Sequence, residues 1–334
     1  MSKIIYLGED LGMGANKLYG SQGGVQVLSM VSSNGTRHLS ENLLGARSKR
    51  RPMEISSEMG SFYVGENAHD YGSPMENQDF DRLTGTSEIH ALFYAALTKY
   101  QLEYGPFGKN PLSLMVGLPL QMLTGPSAKE YKAAVKKWMV RQHTWRADGV
   151  DYTAEVVEIQ MKPQAMGALF DYTYDHNGMM IPDPDKVRLW TDETAGLSIG
   201  FNTIEFLLTR DNDDVDRFTG GVTMGVRRLL EEINRRNENM YTLGELDMKL
   251  RNKRLDKDML KNAMEVWSQQ VTGAIENRWG QYFKRFAAVL VVGGGAELLR
   301  PYIEAKFRGK AIVLDEPVMA ISHGLYKMAL KFKK

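Results

Sequence analysis

The chain has 334 residues with 42 Lys and Arg against 41 Asp and Glu, and a net charge of +1 excludes a whole-molecule field for nucleic acid or a membrane surface. It has no cysteine, which excludes disulfides, thiol catalysis and zinc–thiolate sites and agrees with a reducing cytosol. Hydrophobic residues at 43% and charged residues at 25% mark an ordinary globular chain, long enough for two lobes.

The opening Met1-Ser2-Lys3-Ile4-Ile5-Tyr6-Leu7 lacks the long apolar core of a signal peptide, and no run approaches the roughly 18 residues of a spanning helix. A soluble, cytoplasmic protein without membrane contact is the expectation. Residues 3–8 predict a short strand, followed by Glu9-Asp10-Leu11-Gly12-Met13-Gly14-Ala15-Asn16-Lys17. Gly20, Gly23 and Gly24 then lead into Val25–Leu28, which predicts a returning strand. The unit is strand, glycine turn, strand, whereas a Walker or Rossmann loop requires a helix after the glycines. Backbone N–H groups at such a tip suit phosphate, with Lys17 as a point charge and Asp10 at the strand end. The same residues also make a plain hairpin with one surface lysine.

Residues 32–86 are polar and irregular, and the basic cluster Arg47, Lys49, Arg50 and Arg51 reads as a solvated loop. Phe62–Glu66 predicts a short edge strand. Ser87–Tyr100 predicts an amphipathic helix with Ile89, Leu92, Phe93 and Ala96 on one face. Leu112–Gly117 predicts a buried strand ending at Leu118-Pro119. Ser127 and Glu130 have the spacing of a capping box, and the helix they open carries a core stripe of Tyr131, Val135 and Trp138. Tyr152–Ile159 alternates like a strand. Pro163 sits where a helix begins, and Gln164 falls in its first turn, either exposed or aimed at a ligand.

Val187–Glu205 repeats the opening design, with a strand and turn over Gly196–Thr203 and a returning strand over Ile204–Leu208. Two such units suggest two similar halves that clasp phosphates in the cleft between lobes. Arg210–Asp216 resembles a calcium loop but lacks glycine at the sixth position and glutamate at the twelfth, so it reads as an acidic turn. Gly220-Gly221 precedes an amphipathic helix carrying Met224, Val226, Leu229, Leu230 and Ile233, and residues 242–283 are helical and heavily charged. Val289–Val292 predicts a buried strand running into Gly293-Gly294-Gly295, with a helix over Ala296–Phe307. Glycines at that turn let the backbone approach a flat or anionic ligand closely. A last strand, Ile312–Leu314, and a helix from Val318 to about Leu330 complete the chain.

Together these pieces resemble the actin-like ATPases, and in particular the plasmid-segregating bacterial actins of the ParM type. Asp10, Gly12 and Lys17 fall at the spacing of that family's first phosphate loop, and Gly293 to Glu297 match its Gly-Gly-Gly-Ala-Glu adenosine motif. Gln164 stands at the start of its connecting helix, Met115–Leu120 looks like its buried strand ending in Gly-Leu-Pro, and the last helix with Gly324 resembles its second connecting segment. Ser198 departs from the pattern, because the family places an aspartate there to hold magnesium's water shell, and glycine-rich residues where Phe201 and Asn202 stand. Serine is a weaker acceptor for a hard cation, so phosphate binding is better supported than full hydrolytic competence.

The resemblance implies an α/β actin-like ATPase fold of two lobes, each built on a ribonuclease H-like mixed sheet with flanking helices, with nucleotide in the interlobe cleft. The first lobe is expected over 1–190 with a smaller insertion over roughly 32–86, the second over 191–310, and a C-terminal segment over 311–334 returning to the first. It implies ATP or GTP and Mg2+ as cofactors. Gly12, Met13, Gly14, Asn16, Lys17, Gly200, Phe201, Asn202, Thr203, Gly221, Gly293, Gly294, Gly295 and Glu297 are the expected nucleotide-binding residues. Asp10 and Ser198 are the expected metal residues, with Gln164 orienting the attacking water and Asp10 as its catalytic partner. Base contacts are expected from the helices between 244 and 270. The implied function is a nucleotide-dependent filament that moves plasmid DNA through a DNA-bound adaptor of ParR type, without direct nucleic-acid binding. Another actin-like cytoskeletal filament, or a non-hydrolysing scaffold, is the alternative. A sugar kinase or a heat-shock-type chaperone fits less well, because the chain lacks room for their added substrate or peptide domains.

Overall fold

The structure, a computed structural model, describes residues 3–33, 51–77 and 79–333. The first sheet comprises β1 (Ile5–Leu11), β2 (Ala15–Gly20), β3 (Gly23–Leu28), β4 (Val31–Ser33), β5 (Met53–Ser57), β6 (Gly60–Val64), β7 (Ser73–Met75), β8 (Leu112–Leu118), β9 (Gln142–Ala147) and β10 (Val150–Pro163). Their spatial order is β3-β2-β1-β8-β10-β9-β5-β6-β4-β7. Strands β1, β8 and β10 run parallel, and β1–β2–β3 form an antiparallel meander beside them. β10 serves two neighbours: its first half pairs antiparallel with β9, its second half parallel with β8, and the register shifts between Val156 and Glu158. Such an irregularity bends a strand, and here it joins the extension carrying β4–β7 to the main sheet.

Helices α1 (Ser87–Tyr104), α2 (Leu120–Leu123), α3 (Ala128–Met139), α4 (Gln164–Thr173) and α5 (Pro184–Arg188) follow or interrupt these strands. β8 is buried at every position because both its faces are covered. On one side Leu7, Leu11, Leu18, Leu92, Phe93 and Trp138 share a core.

The second sheet holds β11 (Thr194–Ile199), β12 (Ile204–Arg210), β13 (Asp213–Asp214), β14 (Gly220–Val222), β15 (Ala288–Val292) and β16 (Ala311–Val313). It is ordered β13-β12-β11-β15-β16, with β14 also on β12. Its helices are α6 (Val226–Arg236), α7 (Leu243–Arg251), α8 (Lys257–Trp279) and α9 (Ala296–Phe307), around a core that includes Phe206, Leu229, Trp267 and Trp279. The chain ends in α10 (Ala320–Lys331).

Helices α4 and α10 lie between the two sheets. Met115 of the first, Leu290 and Val292 of the second, and Ala168, Ile321 and Leu325 of the helices form one cluster. A Cβ on Gly324 would run into the backbone of Gly167, so the helices cross at backbone contact. Each lobe therefore presents the same device to the space between: an antiparallel hairpin (β1/β2 or β11/β12) beside a parallel strand (β8 or β15).

Several local expectations are corrected. Helix α1 is buried on nearly every side rather than along one stripe, because it sits between the sheet and its extension. Ser127 makes no side-chain cap to α3, whereas Val135 and Trp138 of the expected stripe are buried. Phe62–Val64 lies inside the sheet, not at its edge, since β6 pairs with both β4 and β5. Gly220-Gly221 precedes the expected amphipathic helix as strand β14, and because α6 begins at Val226, Met224 of the expected face lies ahead of it. Ala311–Val313 pairs parallel with β15 at the edge of the second sheet. Of the basic cluster, Arg47, Lys49 and Arg50 lie outside the described residues, and Arg51 pairs with Glu54 at 3.3 Å. The acidic turn joins β12 to β13 through Asp211 and Asn212 at φ of 54° and 64°. Among the described residues no acidic or histidine group has the makeup of a ready metal cluster, and no helix is long and apolar enough to cross a membrane.

Candidate functional site

The two hairpin tips meet across a cleft. A Cβ on Gly14 would stand 2.6 Å from Cβ of Phe201, so only glycine lets the first tip approach the second. Between and beside the tips lies a cavity of about 310 Å3, within the size range of small-molecule sites.

Asp10 stands at its floor, 1% exposed, and is opposed in the sheet by Lys17 of β2 and Gly117 of β8. Its Oδ2 accepts from Lys17 Nζ at 2.7 Å and its Oδ1 from Gln164 Nε2 at 2.7 Å. The three side chains come from β1, β2 and the first residue of α4. Pro163 precedes α4 as its N-cap, so Gln164 emerges at the point where β10 turns into the helix. A carboxylate held by an ammonium and an amide is fixed in direction by charge-assisted bonds. The first turn is closed by Gly12 N–H donating to Asp10 O at 2.8 Å, and Ser29 Oγ–H donates to Gly12 O at 2.9 Å.

The second turn is closed by Gly200 N–H donating to Thr203 O at 2.9 Å. Its carbonyls also cap α6: Val226 N–H donates to Gly200 O at 3.0 Å, and Arg227 N–H to Phe201 O at 2.7 Å. The start of α6 is thus occupied by protein. The third turn uses each glycine differently. Gly293 has φ of +97°, which favours glycine; Gly294 faces open space; a Cβ on Gly295 would strike Ile199 and approach Val226 and Trp267. Gly293 and Gly294 line the cavity, while Gly295 serves the fit of α9 against the second core.

Of the expected site residues, Asp10, Gly12, Met13, Gly14, Lys17, Gln164, Ser198, Gly200, Phe201, Asn202, Thr203, Gly293, Gly294 and Glu297 line this one cavity. Asn16, Gly221 and Gly295 do not. Asn16 shares the core-facing side of the hairpin with Glu9, because residues alternate faces along a strand and Asn16 is opposed to Leu11. Gly221 is opposed to Glu205 in the second sheet and packs against the Gln121 side chain. At the far end the lining adds Asp247, Leu250 and Arg251 of α7, and Leu298 of α9, where sequence reasoning named only a range of helices. Asp247 Oδ2 accepts from Arg251 Nε at 2.7 Å, and burial raises its pKa against the pull of Arg251.

Glu205 is the residue that sequence reasoning missed. It is 1% exposed, directly opposed to Ser198, and its Oε1 accepts from Leu120 N–H at 2.7 Å. Burial pushes its pKa up to about 7 against the backbone N–H groups of Leu120 and Ala165, with Asp10 pushing the same way. The signal available was an acid inside an otherwise apolar strand, Ile204–Leu208. Glu9, one residue before Asp10, faces the opposite side, where burial holds its pKa well above the usual carboxylate range.

Divalent cation chemistry fits this donor set. Asp10 and the Ser198 hydroxyl line the cavity, and Glu205, which does not line it, is buried behind Ser198 near enough to Asp10 for that carboxylate to help raise its pKa. Hard cations take such oxygen ligands directly or through water.

The chain's resemblances agree with this architecture. Residues 8–167 match the family model for the N-terminal domain of actin-like proteins, and residues 197–305 match that for the C-terminal domain of archaeal MreB-like actin homologues. No curated protein matches in sequence. Among solved structures, a 15-stranded ParM filament from Clostridium botulinum superposes with TM-score 0.75 at 19% identity, covering 99% of this chain and 100% of that one. An archaeal actin homologue in complex with ADP gives 0.72 at 17% identity, covering 97% and 98%. The actin-like protein Alp7A gives 0.72 at 15%, covering 98% and 96%. With one actin-like domain model on each lobe and the whole chain superposing on ParM structures, the chain is an actin-like protein with the two-lobed ParM-type fold.

Proposed function

We propose that the chain binds a nucleoside triphosphate with Mg2+ in the cleft, hydrolyses it, and uses the cycle to control assembly into a head-to-tail filament. The observation that carries this reading is the convergence of Asp10, Lys17 and Gln164 with the Gly200–Thr203 turn on one cavity. Lys17 supplies the positive charge at the phosphate end. Backbone N–H groups of the two tips and of the Gly293–Gly294 turn provide the remaining donors. Asp10, with Ser198 and Glu205 nearby, would hold the magnesium's waters, and the ion when bound supplies charge neutralisation at the phosphates. Gln164 orients the attacking water, since an amide is too weak a base to take its proton. Phosphoryl transfer depends mainly on such positioning and charge stabilisation. The residues around Asp247, Leu250 and Arg251 would receive the nucleoside.

Closure of the two lobes on the triphosphate would favour the polymerising shape, and hydrolysis would loosen it. A self-contact whose rotation does not close generates an open helix. By the same resemblance the cargo is plasmid DNA held through a ParR-type adaptor, in keeping with a near-neutral chain. The archaeal actin homologue and the MreB-like C-terminal match favour a second reading, a cytoskeletal filament with no DNA cargo. Pull-down of the plasmid's centromere-bound adaptor by filaments, compared with filaments alone, separates the two.

A further inference from the structure

Helix α7 is held from two sides. Its own N-cap, Thr242, forms a capping box with Glu245: Thr242 Oγ1 accepts from Glu245 N–H at 3.1 Å, and Thr242 N–H donates to Glu245 Oε2 at 2.7 Å. The other support comes from the first lobe. His69 Nδ1 lies 3.0 Å from Thr242 Oγ1, and Glu76 Oε1 accepts from Gly244 N–H at 3.2 Å, so an acid from across the cleft satisfies a first-turn donor of α7. One turn on, Met248 packs against Met30, Tyr63 and Ala68, and its Sδ accepts from Asn67 N–H at 3.4 Å. A Cβ on Gly244 would stand 2.8 Å from Cε1 of His69, so the approach needs glycine there. Because Thr242 Oγ1 already accepts the cap bond, the arrangement that satisfies both groups has its hydroxyl donating to Nδ1 of a neutral His69. Burial favours the neutral ring, lowering the His69 pKa against Glu76, Glu245 and Asp70.

The adjoining stripe of α7 carries Asp247 and Arg251, which with Leu250 line the end of the cavity assigned above to the nucleoside. One short helix is thus gripped by the first lobe at Thr242, Gly244 and Met248 and turned to the cavity at Asp247 and Arg251. We propose that His69 and Glu76, with Met248, form a clasp across the cleft that positions α7 over the nucleoside and so sets how long the nucleotide stays bound. His69 is a positioning residue, acting on the ligand only through Thr242 and α7. The proposal rests on the nucleotide reading above. It goes beyond that reading by separating residence time, set at this end, from chemistry, set at Asp10, Lys17 and Gln164.

The test is the rate at which a fluorescent ADP leaves the full chain when chased with unlabelled ADP. His69→Ala should speed release about 2–10-fold, the range that one net hydrogen bond supplies, since such losses fall mainly on dissociation. His69→Asn keeps an acceptor where Nδ1 stands and should retain slow release. Single-turnover phosphate release at saturating triphosphate should be unchanged in both, which a general loss of folding would not leave intact. The chain has no cysteine, so His69→Cys combined with Thr242→Cys can be joined by a short bis-maleimide, and the joined protein should hold ADP far longer than the same variant unjoined. Wild-type release from His69→Ala, phosphate release slowed in step with it, or equal release from joined and unjoined protein would overturn the proposal. Wild-type protein that binds no fluorescent ADP would overturn the nucleotide reading instead, while the joining reaction, which needs no nucleotide, still reports whether the clasp forms.

Discussion

Replacing Gln164 by alanine separates positioning from binding. The amide is 8% exposed and donates to Asp10 Oδ1 at 2.7 Å, while Lys17 holds Oδ2 from the other side at the same distance. Truncation removes one donor from a buried carboxylate and leaves the Lys17 bond in place. Nucleotide affinity, set by the turns and Lys17, should change little. Chemistry should slow by about 100-fold, the usual cost of losing one preorganised hydrogen-bonding group, or roughly 2.7 kcal/mol of barrier. Freeing Oδ1 also costs about 1–3 kcal/mol of folding stability. The assay pairs fluorescent-nucleotide titration with single-turnover phosphate release at saturating triphosphate. Equal losses in both, or unchanged release with normal binding, would refute the assignment. Gln164→Glu gives an independent check, because it sets a second carboxylate at the Asp10 contact and should impair phosphate release as Gln164→Ala does.

Gly14→Ala pushes a methyl group against Phe201 and should weaken nucleotide binding about tenfold or more, by forcing the tips apart. The added Phe201→Ala change should relieve it, read by the same titration. Gly324→Ala drives a Cβ into the Gly167 backbone and should lower stability by about 1–3 kcal/mol or more, visible as a lower thermal midpoint. His90 and His143 share the Tyr94 hydroxyl, and burial lowers both to about 4 from 6.5. Groups depressed in the folded state contribute stability that is full above 6.5 and lost as pH falls toward 4, so acid unfolding should bind protons there. His143→Asn should flatten that slope in urea melts between pH 7 and pH 4.

The two hairpins and the glycine turn were legible because they are local: strand, turn and strand are written in consecutive residues, apolar runs broken by glycines. The end-to-end resemblance then ordered them into two lobes. What was illegible depends on register and on faces. Asn16 stands beside Lys17 in sequence, yet alternation turns it to the opposite side of the hairpin, with Glu9. Gly295 completes a run that suggests a ligand loop, but its missing Cβ makes room for Ile199, Val226 and Trp267. Glu205 escaped notice because its meaning comes from the residue across the ladder, Ser198, and from the start of α2, far away in sequence. Asp247 and Arg251 lie in a charged helix whose cleft-facing turn is fixed by tertiary packing rather than by any motif.

The most direct test of the central claim is high-speed pelleting with electron microscopy of the full chain, with ATP, GTP, ADP or no nucleotide, while phosphate release is followed in parallel. The account predicts filaments that require a triphosphate and shed phosphate as they age. Filaments that ignore the nucleotide, or no filaments in any state, would contradict it.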